Sequence, residues 1–200
     1  MTPDDLRAAL DLTPEAEAWL SEGRAKVAAD PAKLAVLFPA AGRKVGRGPL
    51  PSLPGWTADD AARALLLDAL PQPRAEAVAR AYTEGDNAEK RAVLRALPVL
   101  GLGDDGLPLV RDALRTNDTR LVAAAMGPYA AARLDDEGWR HGVLKCVFVG
   151  VPLAAVANLA DRADAELARM LTDFAAEREA AGRVVPDDVH HALTLVDQES

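Results

Sequence analysis

The stretch from which the fold is read is TADDAARALLLDALP, Thr57 to Pro71. Ala61, Ala62, Leu65, Leu66, Ala69 and Leu70 recur at helical spacing and line one face of a helix. Thr57 with Asp60 forms an approximate capping box at its start, and Pro71 stops it. The pattern then repeats downstream. A second helix is expected over Pro73–Thr83, stopped by Gly85. A third, capped by Asn87, carries Ala92, Val93, Ala96, Leu97 and Leu100 ahead of Gly101 and Gly103. A fourth covers about Asp105–Arg115. Asp118 caps a fifth with Leu121, Val122, Ala125, Met126 and Tyr129 facing inward, and Pro128 kinks or breaks it. Leu-Asp-Ala-Leu-Pro at Leu67–Pro71 returns as Leu-Arg-Ala-Leu-Pro at Leu94–Pro98, a faint echo of helical repeats. The expected class is all-α: stacked antiparallel helical hairpins, an α-α superhelix of the HEAT-like kind. An irregular bundle of Ala-rich helices is the alternative.

The flanks fit that class. Thr13, Pro14, Glu15 and Glu17 start a helix running through Trp19, Leu20, Gly23 and Val27. Asp30-Pro31 opens a short one through Leu34, Leu37 and Phe38. Asp135 and Asp136 begin a helix through Trp139, Val143 and Val147. Its VLKCVFVGVPL segment has β-branched character. No second strand candidate exists to pair with it, so a central, well-buried helix is expected. Asp161 with Asp164 opens a long amphipathic helix carrying Leu167, Met170, Leu171 and Phe174, ended by Gly182. Pro186 begins a last short helix before a polar tail.

Between the regular parts lies PAAGRKVGRGPLPSLPGW, residues 39–56, with four prolines and four glycines. It reads as a loop, and loops of this length within compact domains are often functional. The 200 residues suit one domain over 1–200 with that loop inside it. Half are hydrophobic and only 4% aromatic, so Leu, Ala and Val must fill the core.

The net charge of −8 makes nucleic acid a poor partner. MTPDDLRAAL lacks the basic start and apolar core of a signal peptide, and Val147–Ala157 is too short to span a bilayer. One cysteine, Cys146, allows no internal disulfide and no Cys-based zinc site. A cytoplasmic globular protein without membrane insertion is expected.

Motifs for catalysis are missing: no P-loop, no Gly-x-Ser-x-Gly elbow, no His-Glu-x-x-His. Adjacent His190 and His191 point apart on a helix and are read as surface residues. The Asp104-Asp105, Asp135-Asp136-Glu137 and Asp187-Asp188 clusters are explained by helix N-termini. No catalytic residue, metal or cofactor is assigned.

Two clusters remain. Arg43, Lys44 and Arg47 place three cations within five glycine-interleaved positions of an acidic chain. They suit a phosphate or carboxylate, or else salt-bridge the protein's own acidic helix ends. His141 and Lys145 share a helix face beside Cys146. Lys145 is either a ligand-pocket cation or base, or a boundary lysine bonded to a carbonyl or an aspartate. Cys146, among Val147 and Phe148, reads as a small buried hydrophobe. Asn117, Asp118 and Arg120 form a polar turn able to face either cluster.

Four elements carry a family resemblance: FPAAGRKVGRGPL at Phe38–Leu50, Thr116-Asn-Asp-Thr-Arg120, Met126-Gly-Pro-Tyr129 and WRHGVLKCVFVGVP from Trp139 to Pro152. Together they resemble the EboA-like proteins, over roughly Leu34 to Phe174. The resemblance implies an α-helical superhelix. It also implies a genomic setting beside a prenyltransferase and other enzymes, in clusters that make or export secondary metabolites. It transfers no role to any single residue. The expected function is a non-catalytic helical scaffold or adaptor binding a protein or small-molecule partner of that pathway. The rival is a small enzyme or enzyme subunit acting on a phosphorylated or prenylated intermediate, with Arg43, Lys44 and Arg47 holding the anion. A structural, homo-oligomer-forming protein is the third reading.

Overall fold

The computed structural model describes residues 1–197, and its regular elements are helices; no strand forms among the described residues. The last residues of the polar tail, 198–200, lie outside the described part. The chain divides into two compact units, one ending at Leu109 and the other beginning at Val110.

The first unit contains α1 (Pro3–Ala9), α2 (Pro14–Ala29), α3 (Leu34–Lys44), α4 (Ala58–Asp68), α5 (Ala75–Glu84) and α6 (Asn87–Leu100). Helix α1 is an addition to the sequence reading. Thr2 caps it and Asp5 returns the bond, a full capping box, and Leu6 is wholly buried. Helix α4 is the hub, packed on α1, α2, α3 and above all α6. It is not the one-faced helix that its periodicity suggests: every residue from Asp59 to Leu67 is buried. A helix enclosed on all sides must either be apolar all round or pair its polar groups internally. This one pairs them, and the expected capping box at its start fails for that reason. Thr57 makes no side-chain cap bond. Its hydroxyl donates to Asp59 Oδ1 at 2.7 Å, and Asp60 accepts from two arginines of α6.

Two further boundaries move. Residues 39–44, expected in the loop, continue α3, with Pro39 inside the helix. The irregular segment therefore starts at Val45. The N-cap of α6 is Asp86 rather than Asn87, because Asp86 and Glu89 satisfy each other's backbone amides. That helix also runs through Pro98 and ends on Gly101 at φ +64°.

Helix α7 (Leu107–Leu114) contains the division point. The second unit continues with α8 (Thr119–Ala125), α9 (Pro128–Arg133), α10 (Asp136–Val149), α11 (Leu159–Arg162), α12 (Ala165–Ala180) and α13 (Asp187–Asp197). Pro128 breaks the expected fifth helix into α8 and α9, taking the first-turn position where a missing N–H costs nothing. Asp161 lies in α11, and Asp164 alone caps α12. The β-branched segment is helical, as expected, and closes at Gly150 with φ +80°. It is less buried than expected: Trp139, Val143, Cys146 and Val147 face inward, whereas Phe148 is 72% exposed. No helix among the described residues is long and apolar enough to cross a membrane.

Candidate functional site

Arg43 and Lys44 form the last turn of α3, where cations complement the negative end of the helix dipole. The chain then turns at Gly46, φ +84°, and Arg47 folds back across Gly42. A Cβ on Gly42 would stand 2.6 Å from Arg47 Nε, so the glycine makes room for the guanidinium. The segment that follows is pinned. Leu50 N–H donates to the Trp56 carbonyl and Ala58 N–H to the Gly48 carbonyl, both at 2.9 Å, and Pro49 bridges Thr57. Leu50 is buried beneath it. Arg43, Lys44 and Arg47 are all exposed, and no ion pair or side-chain hydrogen bond among the described residues engages them. The salt bridges to acidic helix ends that sequence reasoning offered as the alternative do not form among these residues.

The segment is anchored from beneath by an ionic cluster that sequence reasoning missed. Asp60, wholly buried, accepts from Arg91 Nε at 3.1 Å, from Arg91 Nη2 at 3.0 Å and from Arg95 Nη1. Arg91 Nη2 also donates to Thr57 Oγ1 at 3.1 Å. Arg63, 1% exposed, donates to Asp59 at 2.6 Å and to the Phe38 carbonyl of α3 at 3.1 Å. The Arg63 and Arg95 guanidinium groups stand over the Phe38 and Trp56 rings, 5.6 and 5.9 Å from the centroids. Burial pulls Arg95 below its ordinary pKa, and the Asp60 carboxylate works against that. These contacts fix both ends of the segment that presents Arg43, Lys44 and Arg47: Phe38 before it, Trp56 and Thr57 after it. The available signal was polar residues embedded in an otherwise apolar helix, Asp59, Asp60 and Arg63 among Ala and Leu.

His141 and Lys145 belong to the second unit. His141 Nδ1 lies 2.9 Å from the Glu137 carbonyl one turn back, which fits a donated Nδ1–H. Lys145 Nζ donates to Asn117 Oδ1 at 2.8 Å, so the polar turn at Asn117 faces this residue. Both line an open groove of about 490 Å³ between α10 and α12, with Phe148, Met170, Phe174 and Glu177. Nearby, Arg140 of α10 chelates Asp164, the cap of α12, and holds that carboxyl below its ordinary pKa. Cys146 is wholly buried, and burial pushes its thiol up to about 12. His190 and His191 are both exposed on α13. No group of three or more His, Cys, Asp or Glu is arranged to hold a metal ion among the described residues.

A family model described as metabolite traffic protein EboA matches residues 41–194. Neither the comparison with curated proteins nor that with solved structures returned a match. The matched span includes Arg43, Lys44 and Arg47 as well as His141 and Lys145. The chain belongs to the EboA family.

Proposed function

We propose that this EboA-family chain is a non-catalytic helical binding protein of metabolite traffic, holding an anionic small molecule or protein partner on the Arg43, Lys44 and Arg47 ridge. One observation carries the reading: these three cations are exposed and without an internal partner among the described residues, on a segment locked at both ends. Unpaired guanidinium groups on a fixed backbone suit phosphate or carboxylate, since their forks match those anions in geometry. The family description supplies the context of metabolite traffic. His141 and Lys145, along the groove of the second unit, are a separate candidate contact in this proposal.

The same reading takes the two compact units as parts of one cytoplasmic domain of stacked antiparallel hairpins in the HEAT-like manner. The family match runs through both units, and α5 packs on α6 across the tight Gly85–Asp86 turn, as hairpin stacking requires.

Thermal unfolding with inorganic pyrophosphate, glucose 6-phosphate and geranyl diphosphate tests the proposal. A ligand present at a hundred times its Kd adds about 2.7 kcal/mol to stability. At least one of these anions is expected to raise Tm of the natural chain and to lose that effect in the Arg43→Ala/Lys44→Ala/Arg47→Ala variant. If none raises Tm, or if the triple variant responds equally, the ridge is not the site. Chemical conversion of any of the three during incubation overturns the non-catalytic part and favours the enzyme reading.

A further inference from the structure

The first unit holds a second concavity, distinct in charge from the ridge. It is a half-open groove of about 440 Å³ running between the Pro31–Pro39 segment and α5, with the start of α6 beneath. That volume is in the range of small-molecule sites. Its apolar surface comes from Ala35, Phe38, Pro39, Ala77 and Ala81. Its charged side chains are Glu76, Glu84 and Glu89 against Arg80 alone, and Arg80 is already held by Glu76 at 3.0 Å.

Glu89 is the unusual member. It is 8% exposed and still reaches the lining. Its Oε2 accepts the Asp86 N–H at 2.9 Å, whereas Oε1 has Arg63 Nη2 only at 4.0 Å, beyond hydrogen-bond distance. Arg63 is itself committed to Asp59 and the Phe38 carbonyl, so Glu89 is only partly compensated. Gly85 keeps this carboxylate accessible. Its φ of −75° suits any residue, yet a Cβ there would lie 2.8 Å from Glu89 Cβ, 3.1 Å from Glu89 Oε2 and 2.7 Å from the Ala81 carbonyl. The glycine is required for space. Glu84 stands at the rim, exposed and with no ion pair among the described residues.

We infer that this groove binds a small ligand with an apolar body and one ammonium group, the body against Ala35, Phe38, Ala77 and Ala81 and the ammonium toward Glu84 and Glu89. An ammonium supplies the donors that Glu89 Oε1 lacks, and the surplus of carboxylates discriminates against an anionic head. The site is separate from the cationic ridge and takes the opposite charge, so either can fail without the other.

Octylamine, octanol and octanoate are matched probes, followed by amide chemical shifts of the full chain. Octylamine is expected to shift the amides of Ala35, Ala77, Ala81 and Gly85 and to bind about tenfold tighter than octanoate, a difference set by charge complementarity. Glu84→Gln/Glu89→Gln is expected to weaken octylamine about tenfold and leave octanol unchanged. The amide that replaces the Glu89 carboxylate retains an oxygen for the Asp86 N–H, so the cap survives. Ala35→Phe, on an exposed position, fills the groove and should abolish binding. The inference is overturned if octylamine shifts none of these amides, if octanol or octanoate binds as tightly, or if the filled groove binds undiminished.

Discussion

The arginines of the ridge and those of the buried cluster are the same side chain in opposite circumstances. Arg63 is enclosed and Arg91 and Arg95 are half-buried, and each meets a buried carboxylate supplied by Asp59 or Asp60. Arg43 and Arg47 stand in water and meet none among the described residues. Enclosure forces the first set to be paired, because an uncompensated buried charge is costly, whereas hydration lets the second set remain open to a ligand. The inner cations therefore shape the segment, and the outer ones are what it presents.

The comparison breaks most visibly at Asp60. Asp60→Ala leaves Arg91 and Arg95 facing a buried void, and removing one partner of such a cluster costs about 3–5 kcal/mol. Urea unfolding followed by circular dichroism should register a loss on that scale, a large share of a typical domain's stability. A loss below about 1 kcal/mol would show that water reaches the cluster.

Asp164 with Arg140 is the intermediate case, partly exposed and also a helix cap. Asp164→Ala should cost about 1 kcal/mol, mostly through the cap, since solvent screens the ion pair. Its folded pKa is depressed, so its stabilisation is present above the ordinary carboxylate pKa and is lost as pH falls through the folded value. The gap between natural and Asp164→Asn chains in Tm should accordingly be widest near neutrality and close in acid. A gap that widens in acid has the wrong sign.

At the ridge the expected stability change is smaller still. The Arg43→Ala/Lys44→Ala/Arg47→Ala variant gives up the dipole contacts of Arg43 and Lys44 and the exposed packing of Arg47 across Gly42, and should unfold within about 1 kcal/mol of the natural chain while losing its response to anions. A drop as large as that of Asp60→Ala would place these cations with the structural set. Cys146 sharpens the rule without any ion: burial alone raises its thiol to about 12. Iodoacetamide near neutral pH should leave the native chain unmodified and alkylate it once in urea. Labelling of the folded chain at a free-thiol rate would contradict that burial.

Helices were readable wherever the cause was local. Thr13, Asp118, Asp135 and the run from Ala61 to Leu70 announce their elements through caps and period. The prolines and glycines after Phe38 misled because composition argues for a loop, while α3 had already nucleated and carried Pro39 within it. The ionic cluster was hidden for a different reason. Asp60 and Arg91 are 31 positions apart, and only the packing of α4 on α6 makes them neighbours. Read locally, Asp60 is a cap. Of the candidate site, the three ridge cations were visible as an anomaly of charge, but their lack of partners is a property of the folded surface. Glu89 went unread, because the cap of its helix was placed at Asn87, and the space that Gly85 leaves beside it has no counterpart in spacing or composition.

The bridge between Pro49 and Thr57, with the hydrogen bonds on either side, has a kinetic and entropic consequence. A segment with this much glycine would ordinarily lose backbone freedom at the moment of binding, which weakens affinity and slows capture. Here that ordering is completed when the first unit folds. Under the proposal above, an anion arriving at Arg43, Lys44 and Arg47 meets a backbone already ordered, so only the side chains lose freedom on binding.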